Sequence, residues 1–338
     1  MQDYMKNLTP DIEAQLQSLK ETLQQTAPTA ASVPAEPNKV PVQLPLWPEP
    51  KRGGPNALLR SAFFAGIHSK KRKHLGIRIK PEKPLQPVTI AAQQGIAIRF
   101  AGDQLNQYDA DVFFEALHRA RNHPLETECL FRGYSFLKAI GRRTGEEQYE
   151  DLTDSLIRLR DGRVHVEWTM RGKPYEFVGG LVSTFTREKD SKIYKVIFAA
   201  EIKTLFMRAC WTALEWDERQ ALKGHPLAQW LHSYFSTHAE PFPVSASFLH
   251  EKSGSPTKLL KHFRAELKNA LATLDNVLQW KAIWEGDLVT ITRPPSASQA
   301  RHLIRNASKK PSRKPKRGEG GLTPASAMLP GIMKKARV

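Results

Sequence analysis

The order of apolar and polar positions divides the chain into two similar series of elements. The first begins near Val88, where VTIAA and GIAIRF alternate about Gly95 and predict a hairpin. Residues 109–122 then follow helical spacing, with Phe113, Phe114, Leu117 and Ala120 turned inward. Next come a short strand near 127–132, a helix over 134–141 stopped by Gly141, and a helix over 146–160. Tyr149, Leu152, Leu156 and Leu159 share one face of that last helix. Three strand-like runs follow at 163–169, 175–186 and 193–199, and residues 200–210 read as a connecting helix.

The second series repeats this order without a close sequence repeat. Residues 225–237 are helical, with Leu227, Trp230, Leu231, Tyr234 and Phe235 available to a core. An extended stretch at 241–244 leads to a short helix over 246–254 that ends at Gly254. Ser255 starts a long helix to Leu274 with Pro256 in its first turn, and strands at 277–284 and 287–293 turn at Glu285-Gly286. Helix, short strand, helix, helix and hairpin is the order of a winged helix, whose third helix faces DNA. The expected fold is α+β: tandem winged-helix domains over 85–210 and 211–293, with disordered N- and C-terminal extensions.

The flanks carry other patterns. Ile12, Leu16, Leu19 and Leu23 make residues 11–26 an amphipathic helix capped by Asp11. It is short for a lone helix, so it is either frayed in solvent or packed on a partner. Pro28, Pro34, Pro37 and Pro41 make 27–41 an extended linker, completing an N-terminal unit over 1–41. Residues 42–84 hold a short apolar peptide and the basic run Ser69–His74, read as a flexible surface segment. Prolines, serines and the cluster SKKPSRKPKRGEGG make 294–338 a basic tail that cannot bury a core.

Length and charge sharpen this picture. A chain of 338 residues accommodates about two domains, and its net charge of +17 favours a polyanionic partner. The charge is uneven. Residues 1–50 carry a net −3, 51–106 a net +9, 107–215 zero, 216–293 a net +1 and 294–338 a net +10. Sequence-specific contact must therefore come from local clusters inside nearly neutral domains, while the flanks add attraction to phosphates that is independent of sequence. Two cysteines, Cys129 and Cys210, suit neither a disulfide framework nor a zinc site. No run of about 18 apolar residues spans a membrane, and MQDYMKNLTPD lacks the pattern of a secretory signal. These features indicate a soluble, reduced, cytoplasmic protein.

The long helix of the second series is the candidate DNA reader. Leu260, Phe263, Leu267, Leu271 and Leu274 form its buried stripe, so Thr257, Lys258, Lys261, His262, Ala265 and Lys268 face away, with Arg264 on the flank. Lys, Arg and His can donate to base edges or phosphates in a major groove, and Ser255 and Thr257 would hold a phosphate at the helix start. The competing reading is a solvated basic face. The matching helix of the first series is acidic on its outer side, with Glu146, Glu147, Glu150, Asp151 and Asp154. It enters a groove at one end or not at all, or the first helix of that domain packs on a protein partner. Arg142 and Arg143 before it, and Arg158, Arg160 and Arg163 after it, are better placed for phosphates.

Gln43-Leu44-Pro45-Leu46-Trp47 resembles the bacterial sliding-clamp-binding motif. Leucine and an aromatic ring would fill an apolar pocket on the clamp, the glutamine amide would give direction, and Pro41 and Pro48 would lower the entropy cost of docking. Alternatively, Leu46 and Trp47 pack on the protein's own first domain. No GxxxxGK[ST] phosphate loop occurs, and no catalytic constellation, metal site or cofactor site is expected. The last tyrosine, Tyr234, precedes His302-Leu303-Ile304-Arg305, so a tyrosine-recombinase reading of that stretch lacks its nucleophile.

The clamp-like peptide followed by Pro48, the segment Pro55–Phe64 with its P-N-x-x-x-R-S-A-x-F pattern, IRFAG at 98–102, YFSTHAEPFPV at 234–244 and SGSPTKLLKHFR at 253–264 together resemble the TrfA-type initiators of theta-replicating, broad-host-range plasmids. The resemblance covers about residues 42–293. It implies two winged-helix domains related by a pseudo-twofold, monomers that bind directly repeated iterons in double-stranded origin DNA, and a monomer–dimer equilibrium. It further implies a non-enzymatic role with the host initiator, the host replicative helicase and the polymerase sliding clamp as partners. The sequence departs from the pattern in Pro45 and Trp47 of the peptide, the acidic first reading helix and the basic tail. A winged-helix transcriptional repressor of a plasmid operon is the alternative, and it leaves the clamp-like peptide unexplained.

Overall fold

The computed structural model describes residues 41–77, 85–93, 95–170 and 172–307. The helix expected over 11–26, most of the linker and the tail beyond 307 lie outside the described residues. In chain order the first elements are β1 (Lys51–Pro55), α1 (Asn56–Leu59), β2 (His74–Leu75), β3 (Val88–Ile90), β4 (Ile96–Asp103), α2 (Gln107–Ala120), β5 (Cys129–Arg132), α3 (Gly133–Ala139) and α4 (Glu146–Asp161). Then come β6 (Arg163–Met170), β7 (Lys173–Gly179), β8 (Thr184–Glu188), β9 (Ile193–Ile197) and β10 (Trp211–Glu215). The rest are α5 (Trp216–Ala221), α6 (Pro226–Ser236), β11 (Val244–Ser245), α7 (Ala246–Lys252), α8 (Leu260–Leu278), β12 (Lys281–Glu285), β13 (Leu288–Thr292) and α9 (Ala297–Ala307).

Both series close as winged helices with the same topology. In the first, α2, β5, α3 and α4 are followed by the wing β8–β9, and the sheet order is β5-β9-β8. In the second, α6, β11, α7 and α8 are followed by β12–β13, in the order β11-β13-β12. The run at 175–186, read as one strand, is two strands in different sheets. β7 pairs with β6, whereas β8 pairs with β9. The break falls at Gly179 and Gly180, where a Cβ on Gly180 would lie 2.4 Å from the Arg160 carbonyl oxygen. The β6–β7 hairpin is thus an insertion. It joins β2, β3 and β4 in a five-stranded sheet whose Ile98, Phe100, Val164, Val166 and Phe177 face the first core.

The first core reaches further toward the N-terminus than expected. It gathers residues from Leu44 to Trp216, whereas the second gathers Leu222 to Ile291. Residues 42–77 are therefore part of the first domain rather than a separate segment. β1, KRGGP, is a strand because it pairs antiparallel with β10, from Lys51 opposite Glu215 to Pro55 opposite Trp211. Gly53 is needed there because a Cβ would meet the Trp47 ring at 2.7 Å. The basic run is ordered too: residues 69–71 form a 3-10 turn, and His74-Leu75 pair with β4. The expected helix over 200–210 is a 3-10 segment, Ala200–Phe206. α2 starts at Gln107 because Asn106 accepts from the backbone of Tyr108 and Asp109, while Asp109 closes a capping box. Part of the stretch read as disordered is helical: α9 docks on the second domain through Gln299, whose amide donates to the Ser236 carbonyl at 2.8 Å.

The two domains share a buried polar joint. Arg219 on α5 is fully buried; its Nε donates to Asp111 of α2 at 2.6 Å, and its two terminal nitrogens donate to Ser233 Oγ of α6 at 2.6 Å and to Gln107 Oε1 at 3.0 Å. Burial pushes the Asp111 carboxyl up, and Arg219 opposes that shift. The Pro55–Phe64 segment adds a second bridge. Arg60 donates to Thr237 Oγ1 and to its carbonyl, each at 2.8 Å, and the Trp230 indole donates to the Ser61 carbonyl at 3.0 Å.

Candidate nucleic-acid interface

α8 presents a two-sided surface. Phe263, Leu267, Ala270, Leu271 and Leu274 are buried, and Leu260 is half-buried. Lys258, Lys261, His262, Arg264, Ala265 and Lys268 are exposed. The leucine side therefore lies inward and the basic side outward. The wing stands along one flank. Arg264 donates from Nε and a terminal nitrogen to Asp287 Oδ1 at 3.1 and 2.8 Å, and the Lys268 ammonium lies 5.7 Å from the Trp284 ring. Arg264 is therefore partly committed to holding helix and wing together. Among the described residues Lys261 and His262 have no ion-pair partner, so their donors point to solvent.

The start of this helix differs from expectation. It begins at Leu260, after a non-helical stretch over 255–259, and its cap position Leu259 has no side-chain cap. Proline disfavours helical backbone in the residue before it, so Ser255 cannot be the first helical residue next to Pro256. Ser255 Oγ instead accepts from the Thr257 amide at 3.3 Å. Thr257 Oγ1 donates to Glu266 at 2.9 Å, and its carbonyl lies 2.6 Å from the His250 ring nitrogen. Neither Ser255 nor Thr257 sits at the positive end of the helix, so a phosphate held there by these two side chains is not supported.

The corresponding helix of the first domain, α4, keeps its carboxylates outward but spends two of them on its own wing. Arg187 of β8 donates to Glu150 at 2.8 Å, and Lys192 donates to Glu146 at 2.7 Å. The Lys192 hydrogen bond, with Arg187 nearby, holds the Glu146 carboxyl below the usual range. Glu147, Asp151 and Asp154 remain exposed. The sequence does not single out these wing cations, which stand in a polar strand and turn without a local signal. Arg158 is bound to Asp109 at 2.9 Å, and Arg160 to Asp161 at 2.6 Å. Arg143 is exposed, while Arg142 is half-buried with its guanidinium 4.7 Å from the Tyr108 ring centroid.

The clamp-like peptide is seated on the first domain. Leu44 and Trp47 are buried, whereas Leu46 is 67% exposed. Gln43 donates to the Arg121 carbonyl at 3.0 Å. Trp47 stacks on Phe206 with centroids 5.9 Å apart, and its indole N–H donates to His118 Nδ1 at 3.0 Å. Packing on the protein's own domain thus holds for Trp47, with Leu44 in place of Leu46. The physical reason is the cavity left above Gly53 and lined by Phe206 and Trp211.

Among the described residues no group of three or more His, Cys, Asp or Glu side chains is placed to hold a metal ion, and no helix is long and apolar enough to cross a membrane.

The family model described as TrfA protein matches residues 14–293. The chain belongs to the TrfA family. A TrfA relative described as a plasmid replication initiator protein, from Escherichia coli, is 25% identical over 238 residues, which cover 68% of this chain and 58% of that protein. The chain thus spans little more than half the length of this TrfA relative. Among solved structures, domains 2 and 3 of RctB match 65% of the TrfA-family chain and 94% of their own at 14% identity and a TM-score of 0.42. The Pi initiator protein, solved in complex with iteron DNA, matches 54% of this chain and 91% of its own at 13% identity and a TM-score of 0.39.

Proposed function

We propose that the protein initiates plasmid DNA replication by binding directly repeated origin sequences, with α8 in the major groove. The observation that carries this reading is the outward basic face of α8, beside its own wing, in a chain of the TrfA family. Lys261 and His262 read base edges; Lys258, Lys268, Arg142 and Arg143 contact phosphates. Arg264 steadies the wing through Asp287 as well as facing the groove. The first domain adds contacts at the ends of α4 rather than along its acidic face. Opening of the origin draws on the host initiator and replicative helicase, and the Gln43–Trp47 peptide engages the sliding clamp. Because Leu44 and Trp47 are buried, that engagement requires the peptide to leave its seat.

A nuclease footprint over the DNA neighbouring the gene tests the reading. Protected direct repeats at regular spacing are expected. One protected palindrome over a promoter would instead assign the protein to repression. Replacing Lys261 and His262 by alanine should reduce discrimination between origin and shuffled duplex by about 1–3 kcal/mol for each base edge that is no longer read.

A further inference from the structure

The basic run Ser69–Lys73, outside any reading helix, has a specific place in the fold. Its 3-10 turn is exposed and sits between the two domains. On one side, His68 and Lys71 line a groove of about 280 Å³ together with Gly224, His225 and the α8 residues Glu266, Asn269 and Thr273. Glu266, Asn269 and Thr273 lie on the flank of α8 away from the wing, since Arg264 and Lys268 mark the wing side. On the other side, Ser69 Oγ accepts from the Asn106 amide at 3.1 Å, which fixes the turn to the start of α2. Two residues along, Tyr108 lies beneath Arg142.

The cations continue from there. Lys223, in the α5–α6 connection, donates to the Gly141 carbonyl. Its ammonium is pushed down by burial and then by Arg142, with Arg143 adding to the effect and Asp111 opposing it. A line of positive charge thus runs from the flank of α8 to the loop that precedes α4. Its members are not equivalent. Arg72 is spent on Asp109 at 2.8 Å. Among the described residues Lys70 and Lys71 have no carboxylate within ion-pair distance. Nearby acids are Glu266, held by Thr257, and Asp151 and Asp154 on α4.

We propose that this interdomain seam, led by Lys70 and Lys71 and continued by Lys223, Arg142 and Arg143, is a binding site for the sugar–phosphate backbone of duplex DNA. The wing borders α8 on one side and the 68–71 turn on the other, so a duplex lying across α8 meets a cationic rail on the side opposite the wing. The rail supplies attraction without reading bases and carries the strand toward the first domain. This rests on α8 as the reader, and it adds a second, separately testable anchor on the DNA.

The test uses the full chain, a 30-bp duplex from the DNA neighbouring the gene and a shuffled duplex of equal composition. Affinities are measured from 50 to 200 mM salt for wild type, Lys70→Ala/Lys71→Ala, Lys261→Ala/His262→Ala and the control Lys173→Ala/Lys203→Ala. Each neutralised phosphate contributes about 0.9 to the slope of log affinity against log salt. Leaving two phosphates without their lysines lowers the slope by about 1.8 on both duplexes, so across this fourfold range the affinity of the variant falls about 12-fold less than that of wild type. The preference for the first duplex should be retained. A slope equal to that of wild type or of the control pair overturns the rail. If Lys261→Ala/His262→Ala leaves the preference unchanged, the reading of α8 fails instead, whatever the lysine pair does.

Discussion

The buried joint at Arg219 offers a measurable test of how the two domains are coupled. Arg219 and Asp111 have side-chain exposures of 0% and 2%, so neither charge can recover hydration while the other remains. Replacing Arg219 by methionine keeps much of the volume but leaves Asp111 buried as an uncompensated carboxylate. It also takes donors from Ser233 Oγ, Gln107 Oε1 and the Gln229 carbonyl. Breaking a buried pair from one side costs about 3–5 kcal/mol, a large share of a typical total of about 5–15 kcal/mol. Replacing both partners, as in Asp111→Asn/Arg219→Met, removes the stranded charge, and most of the stability should return. Urea unfolding followed by tryptophan fluorescence gives the free energies. Trp230 and Trp280 report the second core, and Trp47 and Trp216 the first. The single variant should also split one transition into two, because the joint links α2 with α5 and α6. A destabilisation below about 1 kcal/mol, or a double variant no better than the single one, would refute the argument that an unpaired buried charge dominates.

Two further outcomes follow from other parts of the fold. Leu46→Ala should change stability by no more than about 0.5 kcal/mol, as expected of an exposed side chain, yet abolish capture by an immobilised sliding clamp; Trp47→Ala should cost about 3–5 kcal/mol through its buried ring, so undiminished capture by Leu46→Ala would remove the clamp assignment. His238 is pushed down to about 4 by burial and by Arg60, so the unfolded chain binds its proton first: this contribution is present above about pH 6.5 and is lost as the pH falls toward 4, and His238→Asn should flatten the acid side of a stability profile, which an unchanged slope would disprove.

Much of the tandem architecture is legible in the chain because it is local. The leucine spacing of α8 sets its inward face, and the alternation about Gly95 sets the β3–β4 hairpin. What stays hidden depends on partners distant in sequence. Nothing within KRGGP marks it as a strand, since its ladder is supplied by residues 211–215. The 69–73 run reads as a flexible surface segment because the Asn106 side chain that fixes Ser69 belongs to another element. The outward face of α8 is recoverable from spacing alone, but its first turn is not, because the effect of Pro256 on Ser255 competes with the general preference for proline in a first helical turn. Wing cations that neutralise α4 are likewise invisible until β8 and β9 are laid beside it.

The hairpin between α4 and the first wing has a consequence for how the two halves are related. The second domain completes the same helix-and-sheet unit with nothing between its long helix and its wing. The β6–β7 ribbon is therefore a graft onto a scaffold that closes without it, and it widens one copy only. A molecule assembled from two such unequal copies has a distinct left and right, so a row of them set on identical repeats has a direction.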